Sequence, residues 1–510
     1  MDRKHRPFLS LLALMTLALG IVLSGCGSDN KPSSSGQSGG ELVVAYDSDV
    51  TNFDPILGSS GNDHAMLYLA YETLVNYNGE MQPQPGLAKS WEFSDDKKTI
   101  TLHLQENVKF QDGTDFNAEA VKFNIERANS DSSKVSDLKN VESVEAADPH
   151  TVKIHLKQPD SSIILALSDR AGMMVSPAAV KKYGNDYSQH PVGAGPFKMV
   201  NWVHSGEIQY EKFADYWQKD QVHLNKITVK IMPDENSRLN ALKSGQVQFY
   251  WNVSPDNYAT LQNDSSITLS GKMTFLFANI YLNTTKPPFD NKNVRLALLY
   301  GIDRPQIVKG LFNGIGEPAY STFPSGYWAH SDQMVPYDPD KAKQYLQNSG
   351  LSIVSFDMEV AANARDQRIA EAVQQQLKQI GITVNIKPAE LTKAVATYFS
   401  EKQVPAFLSY WTGRPDPQQT VNLFLGSKGF YNAGGYTVPE KESLISQAAQ
   451  ETDQVKRAKL YDQINKIAIV QEAMDIPILF LKQTGAMNSH VKGFEPTALG
   501  KPRFAFLRLE

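Results

Sequence analysis

One cysteine, Cys26, occurs in the 510 residues of this chain. No disulfide can form within it, so whatever folds must be held by burial and hydrogen bonding alone. The chain is long enough for that. About 470 residues follow the N-terminal region, with 41% of the sequence hydrophobic, and that length calls for two or more domains.

The position of the cysteine says more. Arg3, Lys4 and Arg6 precede an apolar run from Phe8 to Leu23, which is the layout of a secretory signal: a basic end and a short hydrophobic stretch. The run closes on Leu23, Ser24, Gly25 and Cys26, resembling the lipobox at which bacterial signals are cut before a lipidated cysteine. Residues 1–25 are therefore read as a lipoprotein signal, and Cys26 as the site of a lipid (palmitate) anchor. Residues 26–40 read as the anchor with its flexible tether, too polar to offset the entropy of ordering. Gly36 to Gly40 matches G-x-S-x-G, but no strand precedes it and no helix follows, so it is no nucleophile elbow. Neither a zinc motif nor a placed Ser-His-Asp set appears, and an enzyme is not expected.

The signal carries a net charge of +2, so its removal takes the formal charge from −5 to −7. A mildly acidic mature chain excludes nucleic acid as the expected partner. Past residue 23 no apolar stretch has the length of a spanning helix. The ten histidines are scattered without ligand spacing, so neither metal nor cofactor is expected.

Alternation marks strands at Glu41 to Tyr46, Thr99 to Leu104, Val152 to Leu156, Lys226 to Met232 and Thr383 to Lys387. Asp338 and Pro339 start a helix that Gly350 can end, and Ile369, Val373, Leu377 and Ile380 lie at helical spacing before Gly381. The succession is α/β. Chain boundaries are expected near Tyr281 to Pro288 and near Phe480 to Met487, where two strands would join two lobes as a hinge.

Several segments together resemble one family. They are Gly86 to Asp96 (GLAKSWEFSDD) with Val108 to Thr114, and Pro191 to Lys198 (PVGAGPFK). Tyr216 and Trp217 with Arg238 to Gly245 follow, then Asn283 to Asp290 running on to Arg304, and last Tyr337 to Lys343. The resemblance is to the family 5 extracellular solute-binding proteins, the dipeptide, oligopeptide and nickel receptors of ABC importers, and it spans residues 41–510. It implies an α/β, two-lobed periplasmic-binding-protein-like fold of class II. In it the first lobe (41–284) is enlarged by an inserted subdomain (76–189), the second lobe spans 285–484, and 485–510 returns to the first, with two hinge strands between. It also implies a monomer outside the cytoplasm, lipid-anchored to the bacterial cell membrane. Such a protein captures a peptide or similar small molecule between its lobes and delivers it to the importer's permease subunits. A sensor of the same fold without bulk uptake is the alternative.

Within that resemblance the loop Tyr410 to Pro417 (YWTGRPDP) is the segment that enters the cleft. Dipeptide receptors carry an acid there to meet the ligand's ammonium; Arg414 stands in its place here, with Asp416 two residues on. A guanidinium grips carboxylate or phosphate in a planar, bidentate way, so an anion-bearing ligand is expected. The expected ligand-binding set is Asn52, Tyr281, Asn283, Trp411, Gly413, Arg414 and Asp416, with Tyr327 and Trp328 as further aromatic candidates. Trp91, Phe110 and Phe116 are read as core, and Gly193 to Phe197 as a tight turn. The segment Leu425 to Asn432 lacks the histidine that nickel receptors of this family carry there, which argues against free nickel.

Overall fold

The computed structural model describes residues 39–58 and 60–510, so the Cys26 anchor and the signal lie outside the described residues. Its organising feature is one large sheet built from both ends of the chain. On one side the strand Glu41–Tyr46 pairs in parallel with Lys226–Ile231 and with Phe249–Trp251, and Glu207–Lys212 and Phe197–Val203 extend the edge. On the other side Val354–Ala361 pairs in parallel with Ile382–Ala389 and Ala406–Trp411. Pro388, which lacks an N–H, is tolerated because its strand is the outermost one.

Two long strands, Ile267–Leu282 and Asp475–Asn488, join these halves and pair with each other antiparallel. Their register breaks between Met273 and Phe277, so Thr274 to Leu276 leave the ladder and find other partners. Thr274 Oγ1 donates to Leu481 O at 2.9 Å, and Phe275 N donates to Ala498 O at 2.7 Å. The break lies earlier in the chain than Tyr281, which pairs with Asp475 at the far end of the ladder.

Each half has its own core. Leu42, Val44, Ile227, Val229 and Phe249 anchor the first lobe. Ile280, Leu298, Val360, Val373, Leu408 and Ile476 are among the residues that anchor the second. A separate four-stranded antiparallel sheet, Ala88–Phe93, Thr99–Leu104, Thr151–Leu156 and Val141–Asp148, buries alternate residues against the helix Ala118–Ala128. This region is inserted in the chain between the strands Glu41–Tyr46 and Phe197–Val203 of the large sheet, and Phe110 and Phe116 belong to its separate core.

The helix signals act where the sequence places them. Asp338 caps Pro339–Asn348 by accepting from Lys341 N, and Gly350 follows at φ 72°. Ala364–Gln379 carries Ile369, Val373 and Leu377 inward and stops before Gly381 at φ 91°. The glycines of Pro191 to Lys198 serve close approach: a Cβ on Gly193 or Gly195 would lie 2.4 Å from Ala70 O or C. The Gln111 side chain fastens the crossing, donating to Ala70 O, Gly195 O and Phe197 O at 2.8 to 3.1 Å.

Candidate functional site

The loop after the strand Ala406–Trp411 lies against the broken register of the joining strands. Gly413 is the reason it can: its φ is 81°, and a Cβ there would stand 2.3 Å from the Phe275 Cβ. Thr412 reaches the first lobe, its Oγ1 3.7 Å from where a Cβ on Gly61 would be. Trp411 is buried edge-on against Phe424 and Tyr431, and the Arg414 guanidinium lies over its ring at 4.9 Å. Arg414 stays one-third exposed, with its Nε 4.0 Å from Asp137 Oδ1 of the inserted region.

Asp416 has a different fate. It is 1% exposed, caps the helix Pro417–Phe424 in a reciprocal box with Gln419, and pairs with Arg457 at 3.1 and 2.5 Å. Expected as a ligand contact, it is spent on the helix cap and a buried ion pair. Tyr281, expected as an aromatic wall, is 1% exposed and surrounded by Phe399, Phe407, Phe424 and Tyr431. Its strand position turns it into the second lobe's core, where such ring pairs add about 0.5–1.5 kcal/mol each beyond area burial. Asn283 is likewise buried; its Oδ1 accepts from Thr285 N at 3.1 Å and Thr285 Oγ1 at 2.7 Å, shaping the turn after the strand. Asn52 shapes a turn too, accepting from Asp54 N at 2.7 Å, but stays partly exposed. Tyr327 packs on Phe275, and Trp328 lies under the Arg457 guanidinium at 5.2 Å. Of the expected set, the structure brings Trp411, Gly413 and Arg414 together at the lobe junction.

The first lobe faces that loop with a dense charge network. Asp63 accepts from Thr51 N at 2.9 Å, Thr51 Oγ1 at 2.6 Å and Arg170 Nη2 at 3.1 Å. Lys501 donates to Asp169 Oδ2 at 2.7 Å and stands 3.1 Å from His64 Nε2, which also contacts Asp169. Burial drives the His64 pKa down to about 4, and burial lowers the Lys501 ammonium as well, with Asp169 pulling it back up. Burial raises the Asp137 carboxyl above the ordinary range despite the opposing pull of Arg414.

Two cavities flank the junction. One of about 340 Å³ is lined by Asp47, Asn252 and Gln483 on the first-lobe side and by Arg365 and Arg368 from the start of Ala364–Gln379. Arg365 lies over the Tyr410 ring at 4.0 Å and Asp47 accepts from Asn252 at 3.2 Å. The other, of about 840 Å³, opens between the inserted region and the second lobe and is lined by Asp137, Asn140, Asp160, Arg414, Asn422 and Tyr431 among others. Direct contacts bridge the lobes beside both. Ser161 N donates to Ala449 O at 2.7 Å, Gln419 Nε2 to Asp137 Oδ1 at 2.5 Å, and Asn313 Nδ2 to Asp256 Oδ1 at 3.2 Å. The two lobes are thus in contact around polar, arginine-bearing cavities.

Sequence reasoning missed Arg365, Arg368 and Asp137. The two arginines had a readable signal, three residues apart just after a strand and a capping Asn363. Asp137 had none, since only the fold brings it to Arg414. Among the described residues no three His, Cys, Asp or Glu side chains stand together as a metal would require, and no helix is long and apolar enough to cross a membrane.

Comparison with known proteins gives concordant results. The family description "Bacterial extracellular solute-binding proteins, family 5 Middle" matches residues 82–432. The glutathione-binding protein GsiB of Escherichia coli O1:K1 is 34% identical over 473 residues, covering 89% of this chain and 91% of that protein. The ABC transporter-associated periplasmic binding protein DppA from Helicobacter pylori, solved with the peptide STSA, superposes with a TM-score of 0.81. It has 25% identity and covers 93% of this chain and 99% of its own. The binding protein AgaA of A. tumefaciens R10, solved with agropinic acid, gives 0.80 at 26% identity, covering 92% and 99%.

Proposed function

The chain belongs to the bacterial extracellular solute-binding proteins of family 5, and from that footing we propose that it captures a small peptide-like solute bearing carboxylates and hands it to the permease of an ABC importer. The observation that carries this is the placement of arginines at the lobe junction: Arg414 on the loop beside the hinge, Arg365 and Arg368 in the cavity across from it. A guanidinium binds carboxylate by two parallel hydrogen bonds, and arginines in both of the cavities that flank the junction suit a ligand with more than one anionic group. Glutathione, the ligand named for the relative at 34% identity, is such a molecule, a peptide with two carboxylates.

Capture follows from the two-lobed build. A ligand that touches Arg414 on one lobe and Asp47 or Asn52 on the other gains contacts only when the lobes meet, and that difference shifts the population to the closed form. The permease reads the closed shape. Cys26, lipidated after signal cleavage, would hold the receptor at the membrane where its permease sits, and the mature protein acts as a monomer.

Calorimetric titration tests the reading. Glutathione is expected to bind with about micromolar affinity, while a neutral ester of the same peptide binds at least about tenfold more weakly. Equal affinity for acid and ester, or binding of nickel–histidine in preference to any peptide, would contradict it. Mass spectrometry of the membrane-extracted protein is expected to find an N-terminal lipidated Cys26; an unmodified thiol at that position would remove the anchor from the account.

A further inference from the structure

Arg414 does not stand alone at the mouth of the larger cavity. Asp137 meets it from the opposite lobe, Nε to Oδ1 at 4.0 Å, and both side chains keep some exposure, 32% and 22%. Both line the cavity of about 840 Å³. Asp137 is held in place by Gln419, whose Nε2 donates to Oδ1 at 2.5 Å while its Oε1 accepts from Asp416 N at 3.1 Å. Among the described residues Oδ2 has no hydrogen-bond partner, and it remains to be met by a donor.

A lone arginine would welcome any carboxylate. With Asp137 beside it, a bare anion gains Arg414 and at the same time faces a second carboxylate, so attraction and repulsion largely cancel. A group that brings an anion and a cation on one carbon meets both residues at once. An ammonium offers three donors, enough for Oδ2 and a neighbour, and a carboxylate fills the guanidinium fork.

Resting on the peptide-like reading above, we propose that Arg414 and Asp137 form a subsite for a free α-amino-acid head, ammonium and carboxylate on one carbon. The ligand class is then a peptide joined through a side-chain carboxyl, such as a γ-glutamyl peptide. An ordinary α-linked peptide does not qualify, because its free ammonium and terminal carboxylate lie at opposite ends. The two halves of the subsite come from different lobes, so the head group itself completes closure.

The test uses the wild-type protein and three probes titrated calorimetrically: γ-Glu-Ala-Gly, its α-linked isomer α-Glu-Ala-Gly, and the deaminated glutaryl-Ala-Gly. The two isomers share composition and formal charge, so only the placement of the ammonium differs. The γ-linked peptide is expected to bind about tenfold or more tightly than either of the others. Asp137→Asn, nearly isosteric and able to keep the Gln419 contact, is expected to bring γ-Glu-Ala-Gly and glutaryl-Ala-Gly within about threefold of each other. Equal affinity for the two isomers in the wild type overturns the subsite. So does an Asp137→Asn variant that weakens all three probes alike, the mark of a lobe-to-lobe latch alone. If no probe binds, the peptide-like reading fails and the subsite falls with it; if α-Glu-Ala-Gly binds best, that reading survives and only the subsite falls.

Discussion

Arg414 and Asp416 are separated by one proline, yet one lies half-open over Trp411 and the other is sealed beneath a helix cap. The difference comes from residues far away in the chain: Asp137 reaches Arg414, and Arg457 reaches Asp416. This sets opposite expectations for two substitutions. Arg414→Ala should weaken binding of an anionic peptide by about tenfold or more, with the melting temperature of the unliganded protein nearly unchanged. Arg457→Ala should leave the buried Asp416 carboxylate without its partner and cost about 3–5 kcal/mol in a urea denaturation series. The sequence alone made the loop legible as special, through an indole, a glycine and opposite charges at short spacing. It could not sort Asp416 from Arg414, because the sorting depends on which neighbours the fold supplies. Tyr281 and Asn283 show the same limit. A strand residue's face is set by pairing, which turned Tyr281 inward, while Asn283 is buried in the turn just past the strand's end.

The strands themselves were the most readable elements, since alternating burial leaves a period of two in the residue types. The hinge was less so. Aromatic residues at Phe275, Phe277 and Tyr281 suggested a strand near a boundary, but the register break at Thr274 to Leu276 depends on hydrogen bonds to Leu481 and Ala498. Gly413 meets that break. Gly413→Ala adds a Cβ into Phe275 at a backbone angle that side chains rarely adopt, so it should displace the loop. A drop in ligand affinity together with a Tm lowered by a few degrees, roughly the effect of about 1–2 kcal/mol, is the expected outcome in calorimetry. At the far end of the partner strand, burial raises the Asp475 carboxyl to about 7. Its pKa is higher folded than unfolded, so the folded state binds the extra proton. The associated stability is present below about pH 4 and is lost as pH rises through about 7. Asp475→Asn should therefore raise Tm relative to wild type most at pH 8 and hardly at all at pH 4. A thermal melting series across that range checks it, and a gain independent of pH would assign the effect to packing.

At the scale of the molecule, the two-lobed α/β plan was legible because motifs from Gly86 to Lys343 keep the order and spacing of the family, and the matched span covers residues 82–432. The cleft was not legible, because its walls come from segments hundreds of residues apart: Asp47 and Gln483, Asp137 and Arg414. Contacts such as Ser161 to Ala449 and Asn313 to Asp256 bridge the lobes and can form only when the lobes meet. Binding should accordingly compact the molecule, and small-angle scattering should show a smaller radius of gyration with saturating glutathione than without it. The account rests above all on the nature of the solute. Native mass spectrometry of the purified protein after incubation with a mixed peptide digest containing glutathione measures it directly. The account predicts one adduct per chain with the mass of a carboxylate-bearing peptide, absent from Arg414→Ala; a protein that keeps its unliganded mass in that mixture, or that carries a metal chelate instead, would contradict it.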